Sequence, residues 1–440
     1  MWTESRIDKC LDAAAAGYAA WSACSLDDRL QGLQLLKNAL TICLEDLSRL
    51  ISLEIGKPIT QSRAEVNKSI SLIDYYQKHA QEILAGRKIK VNKYKKARVK
   101  YDPQGIVLGV MPWNFPVWQV LRFAIPVITG GNVVVVKQAQ NAGQTAQYLD
   151  NIFKNVFPDM PIFQSIFIGH HHIDQVLRSP QVIGVSVTGS EQAGIAVAGA
   201  AAKYLKKSVL ELGGSDPFIV LKDANIKKAA AAAVAARMNN NGQTCIAAKR
   251  FIIEKDIYKD FIDAFIDSIQ NYKYGSPGDE DAQMTVLARA DLAKSLELKV
   301  KKSIKAGATL LLSGGIDKKL PACYLPQILT NIPMNSPAYN EELFGPVATI
   351  FQAKDMYAAI GIANHSRFGL GASVWTRDKS KATEVCNRLE SGSVAVNAQL
   401  SSDPHIPFGG VKASGYGREM SAEGLIEFLN TKSIIFTKNK

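Results

Sequence analysis

The 440-residue sequence predicts an α/β protein with two units of parallel sheet and a small β element beside them. Three observations carry that prediction. The stretch up to Gly86 holds apolar residues at helical spacing. From Gly105 onward, short apolar runs alternate with amphipathic stretches, and a second alternating series follows Cys245. Parallel neighbours need a crossover connection, so strand-helix alternation implies parallel pairing.

Taken in order, "IDKCLDAAAAGYAAW" and "LDDRLQGLQLLKNALTICLEDLSRLISLEIG" read as helices. "GRKIKVNKYKKARVKY", Gly86 to Tyr101, alternates basic and apolar residues as an exposed strand pair does. "GIVLGVM", "NVVVVK", "SIFIG" and "GVSVTG" read as strands, with "TAQYLDNIFKNVF" and "EQAGIAVAGAAAKYL" as the helices between them. The alanine block at 229–236 is a small-residue helix able to pack closely. After Cys245 come "RFIIE", a helix over 256–271, and "VATIFQ", "GASVWT" and "SVAVN" with helices between; "SIIFTK" is a final strand. No fixed-period repeat or low-complexity linker interrupts the pattern.

Composition narrows the function class. A content of 47% hydrophobic and 21% charged residues is that of a globular protein. The six cysteines are scattered without a CxxC pair, which argues against a disulfide framework or structural zinc and predicts a reducing cytoplasm. "MWTESRIDKCLDAAAAG" lacks the basic-then-apolar order of a signal peptide. No run approaches the roughly 18 to 20 apolar residues of a membrane span. The net charge of +12 is spread thinly, so it predicts a solvated basic face with a mild pull on anionic small molecules, not nucleic-acid binding. His170, His171 and His172 lie in a polar loop without carboxylate or thiol partners, and no metal site is expected.

Four stretches carry chemistry. In "NGQTC", Cys245 follows glycine and amides that suit an exposing turn; such a thiol is either core filler or a nucleophile. Glu211 in "LELGGSDP" sits between leucines, where a carboxylate is costly unless paired or employed, and it is either a buried partner or a general base. "MPWNFPVWQVLR" follows a strand, so its loop lies at the carboxyl end, where open α/β sheets bind ligands, and Asn114 there is a candidate oxyanion donor. "VTGSEQAG" reads as strand, glycine turn and helix start, a place for a phosphate, although no GxGxxG fingerprint is present.

In this order "PWNFP", "VTGS", "LELGG", "NGQTC", "EELFGPV" and "PFGGVKASGYGRE" resemble the aldehyde dehydrogenase superfamily, over about residues 5 to 438. The resemblance implies an aldehyde dehydrogenase-like fold, two Rossmann-like parallel-sheet domains plus a small β oligomerisation element. It implies an NAD(P)-binding domain at 1–86 and 103–213, a catalytic domain at 214–413, and an oligomerisation element at 87–102 and 414–440 of a homodimer or homotetramer. Helix begins within the first ten residues, without the strand-rich leading segment of longer relatives.

By the same resemblance, Cys245 attacks an aldehyde carbonyl, Asn114 and the Cys245 N–H hold the oxyanion, and hydride passes to the nicotinamide. Glu211 then activates water to hydrolyse the thioester, and a glutamate there favours hydrolysis over transfer to coenzyme A. The cofactor residues implied are Trp113 through its backbone, Lys137 on the adenosine ribose, and Gly189 and Ser190 near the pyrophosphate. Glu342 falls on the nicotinamide ribose and Phe344 beside the ring. Three residues after Lys137, where many NAD-preferring relatives have glutamate, stands Gln140. A carboxylate would repel a 2′-phosphate and an amide does not, so NADP or NAD is expected, with the preference open.

Arg122 occupies a position where succinate-semialdehyde dehydrogenases resemble this chain in carrying arginine, which implies a bidentate grip on a distal carboxylate. Ser402 matches a region where those enzymes place a serine on the same carboxylate. A second arginine of well-known members is Asn239 here, and Arg237 is expected on a different helical face. The substrate expected is therefore succinate semialdehyde, with another small or ω-carboxylated aldehyde, such as glutarate semialdehyde, as the alternative. A non-catalytic protein keeping the fold is the rival from another class, and intact Cys245, Glu211 and Asn114 argue against it.

Overall fold

The computed structural model describes residues 2–437; residues 1 and 438–440, at the ends of two expected segments, lie outside the described residues. Four helices open the chain: Glu4–Ala23, Leu26–Ile42, Leu44–Ile55 and Ile59–Leu84. The long stretch expected to be helical throughout breaks at Cys43. Its first half starts on a reciprocal cap, in which the Ser25 Oγ accepts from Asp28 N while Asp28 accepts from Ser25 N. Its second half stops at Gly56, whose φ of 75° is cheap only without a Cβ.

The first sheet has six strands in the order Gly415–Tyr416, Lys207–Glu211, Val182–Thr188, Ile106–Met111, Val133–Gln138, Phe163–Ser165. All but Gly415–Tyr416 run parallel. Buried on both faces, these strands read as continuous apolar runs; Val133, Val134, Val135 and Val136 are all at 0% exposure. Ile106–Met111 pairs with Val133–Gln138 on one side and with Val182–Thr188 on the other. Strand order therefore reverses at Ile106–Met111, and the loop leaving its carboxyl end carries Pro112, Trp113 and Asn114. That is the crevice where doubly wound sheets take ligands.

The second sheet has seven strands: Thr309–Leu312, Gln327–Thr330, Val347–Ala353, Ala248–Glu254, Asp216–Val220, Gly371–Trp375 and Ser393–Val396. Only the edge pair Thr309–Leu312 with Gln327–Thr330 is antiparallel. The chain crosses from the first sheet to the second through Leu212, Gly213, Gly214 and Ser215. Helix Tyr258–Gln270, expected over 256–271, covers the second sheet with helix Ile226–Met238.

A third, antiparallel sheet joins Arg87–Ile89, Lys96–Asp102 and Asn430–Phe436, with Ala97 opposite Ile435. The expectation that all of 414–440 belongs to this element needs correction. Gly415–Tyr416 is the edge strand of the six-stranded sheet, with Gly415 opposite Glu211. Helix Ser421–Ile426 packs against Ile59–Leu84 and Trp118–Thr129. Glycine makes the difference: Gly415 has φ 114°, and a Cβ there would lie 2.0 Å from the Leu210 carbonyl oxygen. Among the described residues no helix is long and apolar enough to cross a membrane.

Candidate active site

Helix Ile226–Met238 ends at Asn239, and the next three residues all have positive φ: Asn240 52°, Asn241 55° and Gly242 78°. Asparagine tolerates the left-handed region, and Gly242 is obligatory because a Cβ would meet the Gly345 carbonyl carbon at 2.4 Å. The turn is bolted in place. Asn240 Nδ2 donates to Asn114 O at 2.7 Å, and Asn241 Nδ2 donates to Val286 O at 2.8 Å. The buried Arg237, which faces away from the cavities described below, donates through Nη2 to Gly242 O at 2.5 Å. Lys249 Nζ donates to Cys245 O at 2.7 Å. Cys245 thus sits on a rigid strap, as a positioned nucleophile must.

Asn114, 4% exposed, donates one amide hydrogen to Gln243 O at 2.9 Å. Its second amide hydrogen is uncommitted, and the Cys245 N–H has no partner among the described residues. Two free donors beside one thiol suit the binding of an oxyanion.

Two cavities meet at this thiol, and Cys245 and Gln119 line both. The larger, about 590 Å³, is also lined by Trp113, Asn114, Gly189, Ser190, Glu211, Glu342 and Phe344. Ser190 caps helix Glu191–Lys203, its Oγ accepting from Ala193 N at 3.3 Å, so a helix N-terminus opens beside the cavity. The position where Gly189 would carry a Cβ is empty out to 3.9 Å. Trp113 and Phe344 meet edge to face, with centroids 5.9 Å apart. Glu342 Oε1 accepts from Gly214 N at 3.2 Å and pairs with Lys249 Nζ at 3.1 Å; Gly213 is tight against it, since a Cβ would lie 2.5 Å from Glu342 Oε2. A positive helix end, aromatic walls and a carboxylate acceptor fit a dinucleotide. Lys137, opposite Val110 in the neighbouring strand, forms no side-chain hydrogen bond among the described residues, and the following Gln138, Ala139 and Gln140 line a separate cavity of about 130 Å³.

Glu211 ends its strand with 2% exposure, and neither carboxylate oxygen has a hydrogen-bond partner among the described residues. Burial, reinforced by the negative charge of Glu419, holds its carboxyl well above the usual carboxylate range. Burial also pushes the Cys245 thiol up to about 11, against the pull of Arg122 and Lys249 toward the thiolate. Burial thus disfavours the charged form of both groups, and among the described residues neither carboxylate oxygen of Glu211 is spent on the protein.

The smaller cavity, about 210 Å³, is lined by Trp118, Phe115 and Phe408 together with Arg122, Lys68, Asn239 and Ser402. Part of the Arg122 fork, expected to grip a distal carboxylate bidentately, is engaged by the protein itself. Arg122 is 2% exposed; its Nε donates to Glu419 Oε2 at 2.5 Å, its Nη2 to Thr188 Oγ1 at 3.4 Å, and its guanidinium lies 4.7 Å from the Phe408 ring centroid. A guanidinium this deeply buried needs a carboxylate of its own. Only Nη1 has no hydrogen-bond partner among the described residues. Ser402, 8% exposed, accepts from Lys68 Nζ at 2.7 Å. Sequence reasoning missed Glu419 and Lys68. Glu419 closes "PFGGVKASGYGRE", where a carboxylate in a glycine-rich motif was a usable signal; Lys68 lies in the plain helical "AEVNKSIS" and had none.

Residues 1–434 match the family described as the aldehyde dehydrogenase family. The chain is 41% identical over 428 residues to the succinate semialdehyde dehydrogenase Sad, named for NAD(P), of Escherichia coli strain K12, covering 97% of this chain and 92% of that protein. It is 38% identical over 435 residues to the NADP-named succinate-semialdehyde dehydrogenase 1 of Mycobacterium tuberculosis strain H37Rv, covering 98% and 95%. Among solved structures, the succinic semialdehyde dehydrogenase of Streptococcus pyogenes in complex with NADP superposes with a TM-score of 0.96 at 30% identity, over 99% of this chain and 96% of that one.

Proposed function

The chain belongs to the aldehyde dehydrogenase family, and on that premise we propose that it oxidises succinate semialdehyde to succinate with NADP or NAD. The observation that carries this reading is the junction of two cavities at Cys245, one suited to a dinucleotide and the other walled by aromatic rings and ending in cations and a hydroxyl. Relatives named for succinate semialdehyde, in the comparisons above, support the substrate.

Cys245 Sγ, as thiolate, adds to the aldehyde carbonyl carbon, and the carbonyl electron pair moves onto oxygen. The second amide hydrogen of Asn114 and the Cys245 N–H receive that oxyanion, their orientation fixed by the Gln243 contact. A nicotinamide cofactor supplies the hydride acceptor that brings the adduct to the thioester level. Glu211, once it has released its own proton to solvent, is a carboxylate made strongly basic by burial; it takes a proton from the water that attacks the thioester, and Cys245 leaves as thiolate. Gly189 and Ser190 serve the phosphates, Trp113 and Phe344 the nicotinamide side, Glu342 its ribose and Lys137 the adenosine ribose. Arg122 Nη1 and Ser402 Oγ face the distal carboxylate of the substrate.

The reading extends to assembly and place. The edge strand Asn430–Phe436 leaves Ile435 and Phe436 exposed, and an unpaired apolar edge calls for a second copy, so the protein is a homodimer or homotetramer. All six cysteines are free, in keeping with the cytoplasm. The test is NAD(P)H formation across an aldehyde panel with both cofactors. A kcat/KM for succinate semialdehyde about 10- to 100-fold above that for butanal is expected, the worth of one or two charge-assisted contacts; equal values would sink the substrate assignment. Light scattering that returned the mass of a single chain would refute the assembly.

A further inference from the structure

We propose that Lys68 is the second cation of the substrate cavity, holding the distal carboxylate of the aldehyde together with Arg122. The inference rests on the reading that the substrate carries such a carboxylate. Lys68 projects from helix Ile59–Leu84 into the wall that also holds Cys245, Arg122, Asn239 and Ser402. Its Nζ donates one hydrogen to Ser402 Oγ at 2.7 Å and lies 4.5 Å from the centroid of the Trp118 ring. No carboxylate pairs with it among the described residues.

The carboxylates nearest to it are spent elsewhere. Glu65 pairs with the buried Lys57 and accepts from Val117 N at 2.9 Å and Trp118 N at 3.0 Å, at the start of helix Trp118–Thr129. Asp403 accepts from His405 N at 2.9 Å and faces His405 Nδ1 at 2.8 Å. Lys68 therefore shares a confined, largely apolar cavity with a like charge, Arg122, and has no counter-ion. Burial and Arg122 together push its ammonium down to about 8. A carboxylate arriving between Lys68, Arg122 Nη1 and Ser402 Oγ relieves both the desolvation and the repulsion. Asn239, at the same wall, carries no charge, so Lys68 is the side chain available as a second cation there.

The test compares Lys68→Met, Lys68→Gln and Lys68→Arg with the unaltered enzyme, using succinate semialdehyde and butanal and the ratio of their kcat/KM values. The ratio is expected to fall about tenfold or more in both neutral variants, the loss of one charge-assisted contact, through a raised KM for succinate semialdehyde. Lys68→Arg is expected to recover most of it. An unaltered ratio in Lys68→Met and Lys68→Gln, or an equal loss on both aldehydes, overturns the proposal. If the unaltered enzyme itself fails to prefer the carboxylated aldehyde, the substrate assignment falls first and this inference with it.

Discussion

Arg122 donates through Nε to Glu419 Oε2 at 2.5 Å with both side chains buried, so the arginine nearest the substrate cavity is held by the protein's own carboxylate. Glu419 also accepts from Ser186 Oγ at 2.9 Å. The pair aims Nη1 instead of leaving a mobile fork. Arg122→Ala is therefore expected to cost about 3–5 kcal/mol of stability, because it leaves Glu419 buried without its cation. Adding Glu419→Gln is expected to restore part of that stability but none of the preference for carboxylated aldehydes. Denaturant unfolding and the two-aldehyde kcat/KM ratio measure the two effects separately. A double variant no more stable than Arg122→Ala would refute the pairing as the cause.

Glu211→Gln removes the base proposed for hydrolysis. A burst of about one NAD(P)H per active site is expected, followed by turnover slowed about 10²- to 10⁴-fold, the usual worth of a general base. Rapid-mixing absorbance reads both phases, and a variant with no burst would place the slow step before the thioester.

The same substitution carries a stability signature with a definite sign. Because the folded pKa of Glu211 is raised, the folded state holds a proton that the unfolded state releases above the ordinary glutamate range. Stability contributed by this proton is present below the unfolded pKa and declines as pH rises toward the folded one. Glu211→Gln removes the decline, so the variant should exceed the parent in Tm by a margin that widens from pH 5 to pH 8. A margin independent of pH would contradict the assignment of the shift to this carboxyl.

Substrate preference should depend on pH through Lys68. With its ammonium near 8, the kcat/KM ratio of succinate semialdehyde to butanal is expected to fall as pH rises through that value. The charged groups facing it are Arg122, Asp403, Glu65 and Cys245. Titration of Cys245 acts on both aldehydes and divides out of the ratio. In Lys68→Arg the ratio should stay flat to about pH 10, since a guanidinium remains charged. A parent ratio that is itself flat would rule out an ammonium in this role.

Gly242→Ala tests the strap beneath Cys245. The new methyl would meet Gly345 at a φ of 78°, at an expected cost of about 1–3 kcal/mol or more in stability. Activity should fall further than the unfolded fraction explains, because the thiol and its oxyanion donors move apart. Thermal melts with active-site titration separate these losses.

Gln140→Glu addresses the cofactor. A carboxylate at the cavity lined by Gln138, Ala139 and Gln140 should lower kcat/KM for NADP while sparing NAD, by about fivefold or more, since charges roughly 4 Å apart repel by about 1 kcal/mol even at the dielectric of water. Initial rates with each cofactor decide it.

Much of this site was legible in one dimension. Cys245, Asn114, Glu211, Ser190 and Phe344 stand in short motifs whose glycines, prolines and amides dictate local backbone, and local backbone is written in neighbouring residues. The strand-helix alternation was equally readable, since each buried parallel strand must be apolar on both faces. Two helices separated at Cys43 looked continuous because a break without proline leaves the apolar spacing nearly intact. Residues 414–429 looked like a tail because nothing nearby says that Gly415 and Tyr416 will pair with Glu211 and Leu210.

Pairings between distant segments had to come from packing. Sequence alone put an arginine at 122 and a serine at 402, but the folded chain supplied Glu419 to the first and Lys68 to the second. A buried charge is defined by what surrounds it, and those surroundings come from helix Ile59–Leu84, helix Trp118–Thr129 and the loop through Ser402, which are far apart in the chain. Local chemistry pointed to Cys245 as the nucleophile to propose; long-range burial decided which cations remain free to meet a substrate.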